Sequence, residues 1–290
     1  MLDWSNWSDQ FDHIKLMGKI NQGEPMRTPS FLKTTILTAI LAFAGSSISF
    51  AADLSVGANI GNVPWEFQDD TGKTVGFEVD LVTEIAKRLG KSVEFVNIPF
   101  NGLFSAVQSG RINMAVSSIT ITPKRLESVT FAQPYYDSDQ SLTVTAASGI
   151  ADLAGMKGKV VGVDTGSTGD MWATENTGKY GLGEIRRFEG LQPAMLDLVA
   201  GRIDGYISDI PALQYYVKDK PNLKVVERIP TGEKYSIMFN KGDALAKQVN
   251  DVITTLKGEG YIAKLHQTWF GAKAEDTTST VKVMDMPAAK

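Results

Sequence analysis

The chain has 290 residues and a net charge of −4, enough length for one large or two medium domains and no basic excess that would suit a nucleic-acid partner. It has no cysteine, which excludes disulfides, thiolate catalysis, cysteine-bound zinc and a lipid-modified N-terminal cysteine. The two histidines, His13 and His266, lie far apart, so no metal site and no cofactor is expected.

Near the N-terminus, Arg27 and Lys33 flank a short basic region, and the apolar run from Thr34 to Gly45 that follows is too short to span a bilayer comfortably. Small residues follow at cleavage spacing, with Ser49 and Ala51 in the key places. Residues 26–52 are therefore read as a secretory signal peptide. The preceding stretch carries Trp4, Trp7 and several acids, which suit no export signal, so residues 1–25 are expected to be a mis-assigned extension upstream of a start at Met26.

The first strand is expected from Asp53 to Ile60, followed by a loop over residues 61–67 and a turn rich in Asp69, Asp70, Thr71 and Gly72. Phe77, Leu81, Ile85 and Leu89 recur every four residues and give the next segment one apolar helical face. Asp80 suits its N-cap and Gly90 its C′ position. A strand over 92–98, a short helix over 103–109 and a buried strand over 112–116 complete βαβ units and a largely parallel sheet. Ser117, Ser118, Thr120 and Thr122 leave that strand's carboxyl end, and Pro123-Lys124-Arg125 reads as a helix start. In an open α/β sheet, ligands sit in the crevice outside the strand carboxyl ends. Hydroxyls, amides and a guanidinium there suit a carboxylate. From these residues alone, an ordinary turn with a solvated helix arginine is an equal reading.

Residues 141–145 are β-prone and read as a first hinge strand. A strand over 159–163 runs into the loop 164–169, with a helix expected near Asp170. That loop is either an ordinary turn or an anion-binding helix start. A phosphate loop is disfavoured because no lysine follows its glycines. After a strand over 184–189, Gln192 starts a helix. The strand over 203–208 ends at Asp209, which either caps the helix at Ile210-Pro211 or meets an ammonium in the crevice. A strand over 222–228, a return segment over 234–239 and helices over 243–256 and 262–269 follow. From about residue 273 the chain is polar and aperiodic, and a frayed tail is expected.

Four stretches carry a family resemblance: Gly76-Phe77-Glu78-Val79-Asp80-Leu81, Ile119-Thr120-Ile121-Thr122 with Arg125, Phe131-Ala132-Gln133-Pro134-Tyr135-Tyr136, and Trp269-Phe270-Gly271. Through them the chain resembles the periplasmic amino-acid-binding proteins of ABC importers, the polar amino-acid (family 3) solute-binding proteins. The resemblance implies an α/β, two-lobed periplasmic binding protein-like (type II) fold, with two open, mostly parallel sheets joined by two hinge strands. The lobes would be 53–140 with 237–272, and 146–231. The hinges would be 141–145 and 232–236, and 273–290 a flexible tail. The implied ligand is a polar amino acid or a derivative, opine-like among the options, delivered by a monomer to a membrane ABC permease. Arg125, Thr120 and amides near Ser118 and Thr168 would hold its carboxylate. Asp209 and groups near Ser117 would hold its ammonium. Asn59 and Asn62 stand where relatives often carry an acid and an aromatic, leaving Phe100 and Trp65 as nearby rings, although Trp65, between a proline and the Glu66-Phe67 pair, suits the core better. Asp164 is either a solvated loop acid or a replacement for the missing charge from the opposite lobe. Gln192 completes the expected ligand-binding set. The rival readings are a dehydratase-like enzyme on the same scaffold, for which Glu66 and Glu175 are the candidate cleft acids, and a periplasmic sensor input.

Overall fold

The structure is a computed structural model that describes residues 52–289. The expected extension and nearly all of the expected signal peptide lie outside those residues. In the first sheet, strands β1 (Leu54–Ala58), β4 (Val93–Asn97) and β5 (Met114–Ala115) run parallel, and β12 (Met238–Asn240) is antiparallel to both β5 and β6 (Val129–Phe131). Their order across the sheet is β4-β1-β5-β12-β6. A small hairpin of β2 (Phe67–Gln68) and β3 (Thr74–Val75) precedes α1 (Phe77–Arg88). Phe77, Leu81, Val82 and Ile85 of α1 are fully buried, as its four-residue apolar spacing predicts. Gly76, not Asp80, occupies the N-cap. A Cβ at Gly76 would lie 2.1 Å from the Trp65 carbonyl oxygen, and its φ of 142° favours glycine. Asp80 instead accepts a hydrogen bond from Trp269 Nε1 at 2.8 Å, tying α1 to α8 (Tyr261–Phe270).

In the second sheet, strands β8 (Val160–Asp164), β9 (Glu184–Phe188) and β10 (Gly205–Asp209) are parallel, whereas β7 (Tyr136–Thr145) is antiparallel to β10 and to β11 (Leu223–Tyr235). Their order is β11-β7-β10-β8-β9. The helices of this lobe are α4 (Thr168–Tyr180), α5 (Leu191–Val199) and α6 (Ile210–Val217). Helices α2 (Phe100–Gln108), α3 (Pro123–Ser128), α7 (Ala244–Gly258) and α8 belong to the first lobe. Each sheet has its own apolar interior: Leu103, Ile119 and Phe131 in the first, Val161, Val163 and Ile207 in the second. Among the described residues no helix is long and apolar enough to cross a membrane.

The first crossing lies earlier than residues 141–145. Those residues are strand β7 inside the second sheet, where Ser141, Leu142 and Thr143 pair with Ser208, Ile207 and Tyr206. The chain passes between the sheets from Ala132 to about Gln140, alongside 229–235 of β11. There β11 is irregular: Ile229 pairs with Gln140, but Glu233 pairs with Ser138. Asp139 pins the bulge by accepting from Gly232 N–H at 2.7 Å and Arg228 Nε at 2.6 Å. Such a bulge re-aims a side chain, and here it brings Glu233 to the space between the lobes.

Residues from 273, expected to fray, are docked instead. Ser279 and Thr280 are buried. Ser279 donates its N–H and hydroxyl to Asp137 at 2.8 and 2.5 Å. The buried Lys257 ammonium donates to the Lys282 carbonyl at 2.8 Å, and the Met284 N–H donates to Gln133 Oε1 at 3.0 Å. Polar partners, not an apolar face, hold this segment. Deleting residues 275–290 is expected to lower stability by about 2 kcal/mol or more, since hydrogen bonds to charged groups contribute about 1.5–3 kcal/mol each. Urea denaturation checks this, and an unchanged midpoint would show the segment to be dispensable.

Candidate functional site

The carboxyl ends of β1 and β5 face those of β8 and β10 across a cleft. Its lining includes Asn59, Asn62, Phe100, Ser117, Ser118 and Thr120 from the first lobe. Asp164, Ser167, Thr168, Leu191, Ser208 and Asp209 face them from the second. The hydroxyl run, the loop before α4 and the end of β10 are thus brought together, as expected.

Arg125 sits in the first turns of α3, where Thr122 Oγ1 accepts the Arg125 N–H at 3.2 Å as N-cap. Its side chain folds inward and the residue is 8% exposed. Nη1 donates to the Thr120 carbonyl at 2.7 Å and Nη2 to the Gly166 carbonyl of the opposite lobe at 3.1 Å. The guanidinium lies 5.5 and 5.0 Å from the ring centres of Phe100 and Phe104. Burial pulls its pKa down to about 10, while Glu233 and Asp209 favour the charged form. An arginine at that value is still charged at neutral pH, and two of its five N–H donors are satisfied by carbonyls. The solvated-arginine reading is therefore excluded by its burial.

Asp209 occupies the N-cap position of α6 without capping it. Its Oδ2 accepts from Ser118 Oγ across the cleft at 2.8 Å, and its Oδ1 accepts from Gln140 Nε2 at 2.6 Å. Burial, with the charge of Glu233 added, raises its pKa to about 7. Gln140 Nε2 also donates to Glu233 at 3.0 Å, and Thr120 Oγ1 donates to Glu233 Oε2 at 2.9 Å. Gly169 gives Gln140 its room, since a Cβ there would lie 2.8 Å from Gln140 Oε1. Gln140 and Glu233 come from the two crossing strands and did not emerge from the sequence. The available signal was a polar or charged residue inside a β-prone crossing segment. Thr168 opens α4, two residues earlier than expected, and its Oγ1 lies 3.3 Å from Thr120 Oγ1. Asn59 Nδ2 donates across the cleft to the Glu189 carbonyl at 3.2 Å.

Three expectations need correction. Trp65 is not a cleft ring. It is fully buried, edge-on to Phe77, Tyr136 and Tyr235 at 4.7–5.5 Å between centres. Gln192 is exposed near Gly61 at the rim, and Leu191 lines the cleft in its place. The Ser118 N–H does not face the cleft. Ser118 has a φ of +44°, a conformation that costs a non-glycine residue about 1–3 kcal/mol, and its N–H donates to both Glu78 oxygens at 3.0 and 3.1 Å. The Ser117 hydroxyl likewise donates inward to Glu66 Oε1 at 2.6 Å. Asn62 Nδ2 donates to Ser118 Oγ at 3.2 Å.

Behind the two serines, Glu66 and Glu78 are both wholly buried, and Tyr135 donates its hydroxyl to Glu78. Burial, and next the negative charge of Glu78, push the Glu66 pKa well above its ordinary 4.5. Glu66 is therefore a buried support whose carboxyl is pushed toward its neutral form, and it does not line the cleft. Glu175 is an exposed residue of α4. A group whose pKa is higher in the folded than in the unfolded chain contributes stability below its unfolded pKa. That stability is lost as pH rises toward the folded pKa, at about 1.4 kcal/mol per pH unit. Glu66→Gln keeps the uncharged form, so the wild type is expected to lose more stability than this variant between pH 5 and pH 8. Urea denaturation at both values tests this, and equal pH slopes would contradict a neutral Glu66.

Residues 54–272 match the bacterial extracellular solute-binding proteins, family 3. A probable histidine-binding protein of Neisseria gonorrhoeae is 31% identical over 221 residues, covering 74% of this chain and 82% of the relative. The L-cystine-binding protein TcyJ of Escherichia coli K12 is 30% identical, covering 81% and 93%. Among solved structures, the arginine-, lysine-, histidine-binding protein ArtJ of Geobacillus stearothermophilus superposes with a TM-score of 0.71 at 31% identity, covering 77% of this chain and 97% of that one.

Proposed function

Because the chain belongs to the bacterial extracellular solute-binding proteins, family 3, we propose that it captures a zwitterionic amino acid or derivative between its lobes in the periplasm and passes it to an ABC permease. The observation that carries this reading is the opposition of charges in the cleft. The Arg125 guanidinium enters from one side, and Asp209 with Glu233 from the other, separated by Thr120, Thr168 and Gln140. An α-carboxylate would take the remaining Arg125 donors, the Thr120 and Thr168 hydroxyls and the positive end of α4. An α-ammonium would take Asp209, whose carboxyl gains a cation to offset its burial. The names of the relatives, which bind histidine, cystine, arginine or lysine, support an amino-acid ligand.

Among the described residues, hydrogen bonds from Ser118 to Asp209, Arg125 to Gly166, Thr120 to Thr168 and Asn59 to Glu189 join the lobes across the cleft. We read this arrangement as the closed form of a hinged clamp that opens about the crossing strands. A ligand touching both lobes makes contacts in the closed form that the open form lacks, and that difference shifts the population toward closure. Several charged hydrogen bonds at about 1.5–3 kcal/mol each, less the cost of ordering the ligand, suit binding near about −8 kcal/mol, or micromolar affinity. Residues 26–52 would be removed on export, and the mature chain would act as a monomer. A binding role also returns the ligand unaltered, which mass analysis after incubation separates from a dehydratase.

Arg125→Ala is expected to weaken amino-acid binding at least tenfold by calorimetry, and undiminished affinity would remove the carboxylate assignment. Asp209→Asn should weaken α-amino acids far more than their des-amino analogues. Equal losses would mean that Asp209 does not meet the ammonium.

A further inference from the structure

The head-group residues account for one part of the cleft. Asn59, Asn62, Phe100, Asp164 and Leu191 line the remainder. Asp164 ends β8 and pairs with Phe188, so Glu189 follows immediately on the neighbouring strand end. Asp164 Oδ1 and the Tyr206 hydroxyl are buried and act on one another, and neither has a further hydrogen-bond partner. Buried polar atoms are nearly always well satisfied, so a cleft carboxyl oxygen served by one phenol alone needs an explanation. Burial pushes the Asp164 carboxyl up to about 7, with Tyr206 opposing the shift and Glu189 adding to it. No cation figures among the groups acting on it within the described residues.

We propose that Asp164 determines the specificity of this cleft, and that the ligand is an α-amino acid whose side chain ends in a positively charged group. This rests on the amino-acid-binding reading above. A half-buried carboxylate with no cation beside it is costly, and a cation placed against it turns that cost into an attraction. An acidic side chain would meet Asp164 and Glu189 as like charges. A neutral amide could donate a hydrogen bond but would leave the charge unbalanced. Leu191 and the ring of Phe100 supply apolar wall for the methylene stem of such a side chain. The acid therefore enters from the second lobe, while the first lobe offers the neutral amides of Asn59 and Asn62.

Calorimetry on the full chain with L-arginine, L-lysine, L-citrulline, L-glutamine and L-glutamate tests this. L-Citrulline matches L-arginine in shape without its charge. Wild-type protein is expected to bind L-arginine at least tenfold more tightly than L-citrulline. In Asp164→Asn that ratio should fall to within about threefold, with L-citrulline affinity changed by less than threefold. Thermal unfolding of the variant confirms that it is folded, and the wild-type panel decides on its own if it is not. Equal or tighter binding of L-citrulline, L-glutamine or L-glutamate by the wild type overturns the assignment of Asp164 and leaves the amino-acid reading intact. So does a variant that keeps the arginine preference. A wild-type protein that binds no zwitterionic amino acid overturns the amino-acid reading and this inference together.

Discussion

A buried guanidinium has to be neutralised and hydrogen-bonded, and the arrangement of the cleft follows from where Arg125 finds its partners. Its position at the head of α3 is fixed by Thr122 and Pro123, and its planar donors cannot be shed by deprotonation. One carbonyl comes from its own lobe and one from the other, so the group has both of its carbonyl partners only when the lobes meet. The compensating charges, Asp209 and Glu233, come from the end of β10 and from a crossing strand. The same acids carry a burial penalty of their own, visible in the raised pKa of Asp209. Cation and anions therefore stabilise one another across the gap, and a zwitterion matches both.

The frame behind the cleft is built to hold that geometry still. Ser118 bends into a left-handed conformation, and Glu78 accepts its N–H with both carboxyl oxygens. Hydrogen bonds of that kind offset the conformational cost. Glu66, pushed toward its neutral form by burial and by Glu78, anchors Ser117. The crossing strands do more than connect, because their bulge delivers Gln140 and Glu233 to the floor between the lobes. The docked C-terminal segment reaches Asp137 on one crossing strand, whose carboxylate also accepts from Lys234 on the other.

Much of this was legible in the sequence where the signal is local. The apolar spacing of α1 marked the helix, and the hydroxyls after β5 with the proline opening α3 pointed to Thr120 and Arg125. The Gly/Ser/Thr loop before α4 and the end of β10 left an ordinary turn and a helix cap open, and the family resemblance singled out Thr168 and Asp209 there. What escaped depends on long-range pairing. Gln140 and Glu233 acquire their places from the register between β7 and β11, which a bulge shifts and no local period encodes. The Ser118 amide faces inward because of Glu78, forty residues away in sequence. Trp65 lies in a loop without periodicity, and only its place between a proline and the Glu66-Phe67 pair favoured the core position it occupies over a cleft ring. The polar tail lacked an apolar face, yet it docks through the carboxylate of Asp137 and the ammonium of Lys257, partners that a hydrophobic pattern does not reveal.

The most direct test of the central claim is a crystal structure of the protein with a bound amino acid. The account predicts the α-carboxylate within hydrogen-bonding distance of Arg125 and the α-ammonium within reach of Asp209, with both lobes in contact with the ligand. A ligand bound elsewhere, or in the cleft with its charged groups directed away from those two side chains, would contradict it.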